Sequence, residues 1–199
     1  MVGAFNAANV LGVLGVLLAG GVPLDAALHA LARIEAPPGR MQRLGGGVLP
    51  LVVVDYAHSP DALQKVLTAL RPAVAAAREL VCVFGCGGDR DRGKRPEMGA
   101  IAGRLADRIV VTSDNPRTED PEVIASAVVS GIRTTQSRRW SVELDRAKAI
   151  RAAIAAAQPG DVVLVAGKGH EDYQEQNGIR HHFSDARVAA AALTGWSAA

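Results

Sequence analysis

The chain has 199 residues, of which 49% are hydrophobic and 21% are charged. These proportions are typical of a soluble globular domain, and they exclude an intrinsically disordered chain or a fibrous repeat. The formal net charge of +2 provides no broad electrostatic field, so neither nucleic acid nor a membrane is expected as a partner.

Two features bear on the cellular compartment. The two cysteines, Cys82 and Cys86, are too few for a disulfide framework and form no Cys-x-x-Cys pair. The apolar run at residues 10–19 has no preceding Lys or Arg, unlike a secretory signal, and it is shorter than the roughly 20 residues of a membrane span. We therefore expect a cytoplasmic protein in which this run forms a buried helix.

The N-terminal part predicts two helices followed by a boundary. Residues 5–19 have the length of a helix that Gly20 and Gly21 end, and residues 24–34 carry apolar side chains at helical spacing. The segment 37–47 (PPGRMQRLGGG) is rich in turn residues and cannot continue a helix. It predicts a domain boundary or hinge.

Beyond this segment, apolar strands alternate with helices. Strands are predicted at 48–54, 80–84, 108–112, 140–144 and 161–166, and helices around 63–70, over 96–106, 121–132 and 146–157, and after a cap at Ser184. Strands without polar alternation are typical of a sheet buried on both faces, and helical connections imply parallel pairing. We predict an α/β domain with a doubly wound, mostly parallel sheet, whose ligands bind beyond the carboxyl ends of the strands.

The first strand is followed by polar residues, DYAHSP at 55–60. Asp55 at a strand end can hold the two hydroxyls of a ribose, or it can form the turn that enters the next helix. Tyr56 and His58 add a phenol and an imidazole beside it. The residues alone leave both interpretations of Asp55 open.

The second strand is followed by a loop rich in glycine and arginine, residues 85–95. Its GxxxxGK pattern continues with Arg95, where a phosphate-binding loop has the Ser or Thr that binds magnesium. The dinucleotide fingerprint fails as well, because Arg90 stands at the third glycine position. We expect the four basic side chains of this loop to meet an anion at the strand end.

Two further strand ends carry charges of both signs. The third strand is followed by DNPR at 114–117, in which the planar guanidinium of Arg117 suits bidentate capture of a carboxylate or phosphate. The last strand is followed by GKGHE at 167–171, in which Glu171 can pair with an ammonium group. A rim with both signs suits a zwitterion such as an amino acid better than a nucleic acid or a plain phosphate.

Two other features are expected to carry no chemistry. Residues 173–179 contain Asn-Gly, which indicates a β-hairpin, and we interpret this hairpin as a small excursion with no chemistry. The histidines at 58, 170, 181 and 182 have no spaced cysteine partners, so no metal site is predicted on this chain.

Five short motifs in chain order resemble the Mur ligase family. They are FNAAN at 5–9, PGRMQ at 38–42, VDYAHSPD at 54–61, DNPR at 114–117 and GKGHE at 167–171. Each motif is modest alone, but together and in this order they are specific, and the diaminopimelate-adding members are the most similar. The resemblance covers essentially the whole chain: residues 1–36 resemble the end of the central ATPase domain, and residues 37–199 resemble the C-terminal domain.

The resemblance implies an ATP-dependent, amide-bond-forming ligase of peptidoglycan precursor synthesis, and so a role in cell wall growth and division. In this family ATP phosphorylates a substrate carboxylate with Mg²⁺, and an incoming amine attacks the acyl phosphate. The substrates implied are meso-diaminopimelate and UDP-N-acetylmuramoyl-L-alanyl-D-glutamate. The sequence contains no phosphate-binding loop, UDP-binding domain or central-domain metal ligands, so we expect an inactive C-terminal fragment without catalytic residues of its own, whose partners include the missing N-terminal and central domains.

The resemblance also assigns roles to individual residues. Those implied to bind meso-diaminopimelate are Arg90, Asp114, Asn115, Pro116, Arg117, Gly167 and Glu171. Those implied to bind ATP are Asn6, Asn9, Arg40, Asp55, Tyr56 and His58. Two arginines would hold the distal carboxylate of diaminopimelate, while Glu171 and Asn115 would accept its amine hydrogens. Lysine lacks that carboxylate and would leave the arginines unpaired, so diaminopimelate is preferred.

Two alternatives remain open from the sequence. The chain could be a non-catalytic module that binds an amino acid or nucleotide, or part of another ligase of the same superfamily, of the lysine-adding, folylpolyglutamate or cyanophycin synthetase type. Calorimetry of the isolated chain with diaminopimelate distinguishes the first alternative. The DNPR turn disfavours the second.

Overall fold

The computed structural model describes residues 4–34 and 36–197, with side chains from residue 7 onward. In chain order the elements are α1 (Ala4–Ala19), α2 (Leu24–Ala32), β1 (Gln42–Gly45), β2 (Leu51–Asp55), α3 (Pro60–Leu70), β3 (Leu80–Phe84), α4 (Lys94–Leu105), β4 (Arg108–Val111), α5 (Pro121–Ile132), β5 (Trp140–Val142), α6 (Arg146–Ala155), β6 (Val162–Ala166), β7 (Tyr173–Gln176), β8 (Ile179–His182) and α7 (Asp185–Thr194). A short 3₁₀ turn, Arg71–Ala73, follows α3.

The central sheet has six strands in the order β1-β2-β6-β3-β4-β5. Strands β2, β6, β3, β4 and β5 are parallel, and only β1 is antiparallel to its neighbour. Asp55 lies beside Ala166, and Ala166 lies beside Phe84, so the carboxyl ends of β2, β6 and β3 share one edge. The predicted α/β class with a mostly parallel sheet is confirmed.

Helices cover both faces of this sheet because successive side chains of a strand point to opposite sides. Val53 of β2 packs in the layer formed by α3, α4 and α5, whereas Val52 and Val54 pack in the layer formed by α6 and α7. All five residues of β2, β3 and β6 are buried. Burial on both faces explains their unbroken apolar sequences.

Four helices begin where the sequence predicts a cap. Ser59, Asp120, Asp145 and Ser184 each accept a hydrogen bond through the side chain from a backbone N–H in the first turn. Such caps satisfy donors that have no partner within the helix. These four helix starts are therefore confirmed.

The segment predicted as a turn-rich boundary contains a strand. Gly45, Gly46 and Gly47 all have positive φ, and the turn they form folds β1 back onto β2, with Gly46 N–H donating to Pro50 C=O. The predicted strand 48–54 therefore begins only at Leu51. The sequence analysis missed β1 because an edge strand in a glycine-rich segment has no apolar run to mark it.

Helix α1 is more exposed than predicted. Leu11 is 67% and Val16 is 74% exposed, and no described side chain of α1 is buried. The prediction of a buried helix is wrong for this chain, because within the described residues α1 packs chiefly against α2. Among those residues no helix is long and apolar enough to cross a membrane. The division into residues 1–36 and 37–199 stays a prediction.

Candidate functional site

The loops that follow β4 and β6 meet around the ammonium group of Lys168. This side chain is fully buried. Its Nζ donates to Asn115 Oδ1 at 2.9 Å, to Glu171 Oε2 at 3.1 Å and to Asp114 Oδ1 at 3.3 Å. An ammonium group has three N–H donors, so the three acceptors account for all of them. Lys168 thus holds the two loops together and has no donor left for a ligand.

The side-chain amide of Asn115 is fixed in one orientation by its neighbours. Its Oδ1 accepts from Lys168 Nζ and from Glu175 N, both at 2.9 Å, and its Nδ2 donates to Glu171 Oε2 at 2.9 Å. Both lone pairs of Oδ1 are therefore used. This differs from the expectation that Asn115 accepts hydrogens from a ligand amine, because the group left over is one N–H, which suits an acceptor such as a carboxylate.

Arg117 is held in an uncommon conformation at the same edge. Its φ is +52°, a left-handed value that non-glycine residues adopt at a cost unless their surroundings impose it. Its Nη1 donates to Gly88 C=O at 2.8 Å, its backbone N–H donates to Glu175 C=O at 3.1 Å, and its Nε lies 3.9 Å from Glu175 Oε2. These contacts aim the guanidinium along the loop that follows β3.

Gly87 lies next to both arginines that the sequence singled out. A Cβ at this position would lie 3.0 Å from Arg117 Nη1 and 3.7 Å from Arg90 Cγ. A Cβ here would therefore crowd the Arg117 guanidinium and be in ordinary contact with Arg90, so both arginines lie next to this glycine. Arg90 itself is exposed, so its guanidinium is accessible to a ligand.

The β7–β8 hairpin, predicted to carry no chemistry, contacts three of the residues implied to bind the amino acid. Its backbone forms an isolated bridge with Arg117 through Gln176. Gln174 Nε2 donates to Asp114 C=O at 2.8 Å, and Glu175 contacts both Asn115 and Arg117. The sequence analysis missed Lys168, Gln174 and Glu175. The only local signal was the lysine three residues before Glu171, at the spacing of an ion pair.

A second buried cation, Arg146, is hydrogen-bonded to the two chain segments that lead into the candidate site. Arg146 and Asp185 form a bidentate ion pair with both contacts at 2.7 Å, and Arg146 also donates to the carbonyls of Ser113 and Ala166. These carbonyls lie at the ends of β4 and β6. A Cβ on Gly167, whose φ is +117°, would lie 3.0 Å from Asp114 Oδ2, so this position favours glycine for close approach.

The arginine-rich loop after β3 displays fewer cations than predicted. Arg95 is buried, and its Nη1 and Nη2 donate to the two oxygens of Glu119 at 3.0 and 2.8 Å. Arg95 meets an anion, as expected, but this anion is the carboxylate of the protein's own Glu119, so Arg95 is not available to a ligand. Its hydrogen bonds, with that from Asp89 N–H, lower the pKa of Glu119 to about 2. Lys94 donates to His58 C=O at 2.7 Å, which leaves Arg90 and Arg92 exposed.

A cavity of about 410 Å³ brings together three of the residues implied to bind ATP. Asn9, Arg40 and Asp55 line it, with Ala36, Pro37, Met41, Ala62, Lys65 and Val66. Next to it, the Arg40 guanidinium lies 4.7 Å from the centre of the Tyr56 ring, and the His58 ring lies 4.6 Å from that ring. The side chain of Asn6 lies outside the described residues.

Asp55 forms the turn that the sequence analysis left as one of two alternatives. Its Oδ1 accepts from Ala57 N–H and its Oδ2 accepts from Met41 N–H, both at 2.8 Å. Burial raises the pKa of Asp55 above its ordinary value, although these two N–H groups and Arg40 oppose the shift. A ribose-binding role for Asp55 stays a prediction.

The residues around Lys168 and those that line the cavity beside Arg40 are in contact through their backbones. A Cβ on Gly39 would lie 2.0 Å from His170 N, and a Cβ on Gly169 would lie 2.7 Å from Gly39 O and from Tyr56 Cβ. The His170 and Tyr56 rings are 5.4 Å apart. Since residue 170 belongs to the loop that carries Lys168, a shift of either loop must move the other.

The chemistry offered by these residues is recognition. The site contains guanidinium groups, carboxylates, an amide and an aromatic ring. The described residues contain no group of three or more His, Cys, Asp or Glu placed to hold a metal ion. The described part of the chain is therefore suited to binding a charged ligand by paired hydrogen bonds.

The chain resembles known proteins over most of its length. The family model "Mur ligase, glutamate ligase domain" matches residues 39–169. The UDP-N-acetylmuramoyl-L-alanyl-D-glutamate--2,6-diaminopimelate ligases of Chromobacterium violaceum and Pseudomonas aeruginosa are 56% and 55% identical over 98% of this chain. A solved structure of such a ligase is 44% identical over 98% of this chain, with a TM-score of 0.76. In each case the chain spans 39% of the relative's length.

Proposed function

The chain belongs to the Mur ligase family, and from this we propose that it is the amino-acid-binding, C-terminal part of an ATP-dependent ligase. The reaction proposed adds meso-diaminopimelate to UDP-N-acetylmuramoyl-L-alanyl-D-glutamate, in the cytoplasm, for peptidoglycan synthesis. Relatives that match 98% of the chain are named for 2,6-diaminopimelate. The observation that carries the proposal is the placement of Arg90 and Arg117 next to the same position, Gly87.

The charges at the site support diaminopimelate over lysine. Both amino acids carry an ammonium group at the far end, but only diaminopimelate carries a carboxylate there as well. Arg117 and Arg90 are the groups we assign to this carboxylate, because a guanidinium pairs with it through two parallel hydrogen bonds. Glu171 Oε1 accepts no hydrogen bond from the described residues, and we assign it to the ammonium group. Asp114, Asn115, Pro116 and Gly167 would shape the pocket.

The cavity beside Arg40 supports a nucleotide on the other side of the Gly39–Gly169 contact. Met41, Ala62 and Val66 provide an apolar wall, while Asn9, Arg40 and Asp55 provide polar groups, which is the mixture that a base with an attached sugar and phosphates requires. We assign Asn6, Asn9, Arg40, Asp55, Tyr56 and His58 to ATP. ATP would supply the phosphoryl group that activates the substrate carboxylate. Mg²⁺ would be held mostly by parts of the enzyme outside this chain.

This division gives the chain a positional role in the reaction. Holding the attacking amine at a fixed place near the activated carboxylate lowers the entropic part of the barrier. The proposed fragment supplies that placement and part of the nucleotide contact, and the reacting groups come from the two substrates.

A chimeric ligase tests the proposal. In the Pseudomonas aeruginosa relative, this chain replaces the segment that it matches, and ATP-dependent amide formation is measured with meso-diaminopimelate and with lysine. We expect turnover with diaminopimelate and a strong preference over lysine. A folded chimera that consumes ATP but joins neither amino acid, or one that prefers lysine, contradicts the assignment.

Arg117→Ala in the chimera tests the site itself. We expect the KM for diaminopimelate to rise by about 10²-fold, as for the loss of a charge-paired donor, while the KM for ATP changes little. Arg151→Ala, which removes an exposed arginine of α6, is the matched control and should change neither. Equal losses for the two substrates would mean that Arg117 does not belong to the amino-acid site.

A further inference from the structure

The buried ammonium of Lys168 has a role that the recognition groups do not explain. It is fully buried, and all its donors are used by Asp114, Asn115 and Glu171. We propose that Lys168 is a specificity-determining positioning residue, whose charge makes the site accept an amino acid with an additional carboxylate. This inference rests on the proposed function.

Lys168 is the salt-bridge partner of two carboxylates, Asp114 and Glu171. Asp114 and Glu171 lie 3.3 and 3.1 Å from Lys168 Nζ, and their side chains are only 10% and 21% exposed. Among the described residues, no other cation forms a salt bridge with either. Arg146 also attracts both carboxylates, but it is already paired with Asp185. Without the Lys168 ammonium, Asp114 and Glu171 would therefore lose the one salt-bridge partner that they have among the described residues.

Arg117, which we assign to the ligand carboxylate, is only weakly paired within the protein. The carboxylate nearest to the Arg117 side chain is Glu175, whose Oε2 is shared between Arg117 Nε at 3.9 Å and Arg180 Nε at 3.8 Å. Arg117 is thus only partly neutralised. Lys168 compensates one of the two negative charges of Asp114 and Glu171, and this reduces the repulsion that an incoming carboxylate meets at the site. Without Lys168, the site would be more negative by one charge and would bind a further carboxylate less well.

Lys168 also fixes the orientation of the Asn115 side-chain amide. Lys168 donates to Asn115 Oδ1, and Asn115 Nδ2 donates to Glu171. An amide turned by 180° would place its NH₂ group against the ammonium, so Lys168 excludes that orientation. The free N–H of Asn115 consequently stays available as a donor, which suits a carboxylate and is of no use to a second ammonium group.

The role proposed for Lys168 predicts a change in substrate preference, measured as the ratio of kcat/KM for diaminopimelate to kcat/KM for lysine, rather than a change in overall activity. Diaminopimelate and lysine share the reacting amine and the distal ammonium, so contacts to these groups cancel when the two substrates are compared. What remains is the distal carboxylate. Removing the charge of Lys168 should therefore lower the kcat/KM for diaminopimelate more than that for lysine.

The test uses the chimeric full-length ligase with Lys168→Met, which keeps a side chain of similar length without the charge. We expect the ratio of kcat/KM for meso-diaminopimelate to that for lysine to fall about tenfold or more, in line with the loss of a buried charge partner. Lys168→Arg, which keeps the charge, should restore most of the ratio. Lys148→Met, at an exposed pair with Asp145, is the matched control and should leave it unchanged.

A second variant covers the case in which Lys168→Met does not fold. Lys168→Met combined with Glu171→Gln removes one unbalanced acid together with the ammonium, and its ratio is compared with that of Glu171→Gln alone. A lower ratio in the double variant supports the proposal. Equal losses for both amino acids, in whichever variant folds, overturn it and leave Lys168 with a purely structural role. A wild-type chimera that folds but does not use diaminopimelate instead refutes the proposed function itself.

Discussion

Arg146 and Asp185 form a bidentate ion pair in which neither side chain is exposed to solvent. Both N···O distances are 2.7 Å, and the same guanidinium donates to the carbonyls of Ser113 and Ala166. The pair therefore connects the start of α7 to the ends of β4 and β6, directly beneath the loops that carry the candidate site. Its energetic role follows from its burial.

We expect Asp185→Asn to destabilise the protein by about 3–5 kcal/mol, because it leaves the guanidinium of Arg146 buried without a counter-charge. The free energy of unfolding in urea measures this change. Asp61→Asn is the control: it breaks the pair with Lys65, whose side chains are 75% and 66% exposed, and should cost about 1 kcal/mol or less. A similar small cost for both variants would show that Arg146 finds other compensation.

Gly39 and Gly178 are favoured as glycines for different structural reasons. Both have positive φ, +68° and +76°, but a Cβ on Gly39 would lie 2.0 Å from His170 N, whereas no atom of the described residues lies within 4 Å of a Cβ on Gly178. We expect Gly178→Ala to cost about 1–2 kcal/mol from left-handed strain alone. Gly39→Ala should cost clearly more, because backbone must also move. Thermal unfolding of the two variants tests this, and equal melting temperatures would contradict it.

Glu175 is predicted to hold Arg117 in place for its ligand. In the chimeric ligase, Glu175→Ala removes the carboxylate near Arg117 Nε but leaves the backbone contact between the two residues. We expect the KM for diaminopimelate to rise by about tenfold, because the guanidinium loses one of its positioning contacts. Gln176→Ala is the control, because the contact of Gln176 with Arg117 is a backbone bridge, which alanine keeps. No change in either variant would assign the hairpin a backbone role only.

The lowered pKa of Glu119 predicts that the folded protein loses stability in acid. Hydrogen bonds from Arg95, together with one from Asp89 N–H, hold the pKa of Glu119 at about 2, below its ordinary value of 4.5. A carboxyl whose pKa is lower in the folded state stabilises it above the unfolded pKa, and this contribution disappears as the pH falls through the folded pKa. Urea midpoints of the wild type should therefore fall between pH 4.5 and about 2 more steeply than those of Glu119→Gln. Other carboxyls titrate in both proteins, so parallel curves would contradict the prediction.

Local signals in the sequence were sufficient for most elements of the fold, although not for β1. Caps such as Ser59 and Asp120 act on N–H groups within the next few residues, and buried strands such as β2 and β6 are recognised by their own apolar runs. The strands after which functional residues stand could be identified in the same way. Parallel pairing then places these strand ends at one edge.

Contacts between distant segments escaped the sequence analysis. The role of the hairpin depends on Glu175 meeting Asn115, which is 60 positions away, and nothing near either residue marks the other. Arg95 was expected to meet an anion at the strand end, but nothing near it in the sequence identifies that anion as Glu119, 24 positions away. Helix α1 was expected to be buried because it is apolar, but hydrophobicity does not supply the surface against which a helix packs.

The sequence by itself determined the α/β class, the four polar strand ends and the set of charged residues available to a ligand, because these depend on short-range periodicity and residue chemistry. Only the tertiary structure decided which of those charges face each other. Lys168 meets Asp114 across 54 positions of chain because β4 and β6 flank β3 in one parallel sheet. Electrostatic balance at the site is a property of that register, and register arises from packing across the whole sheet.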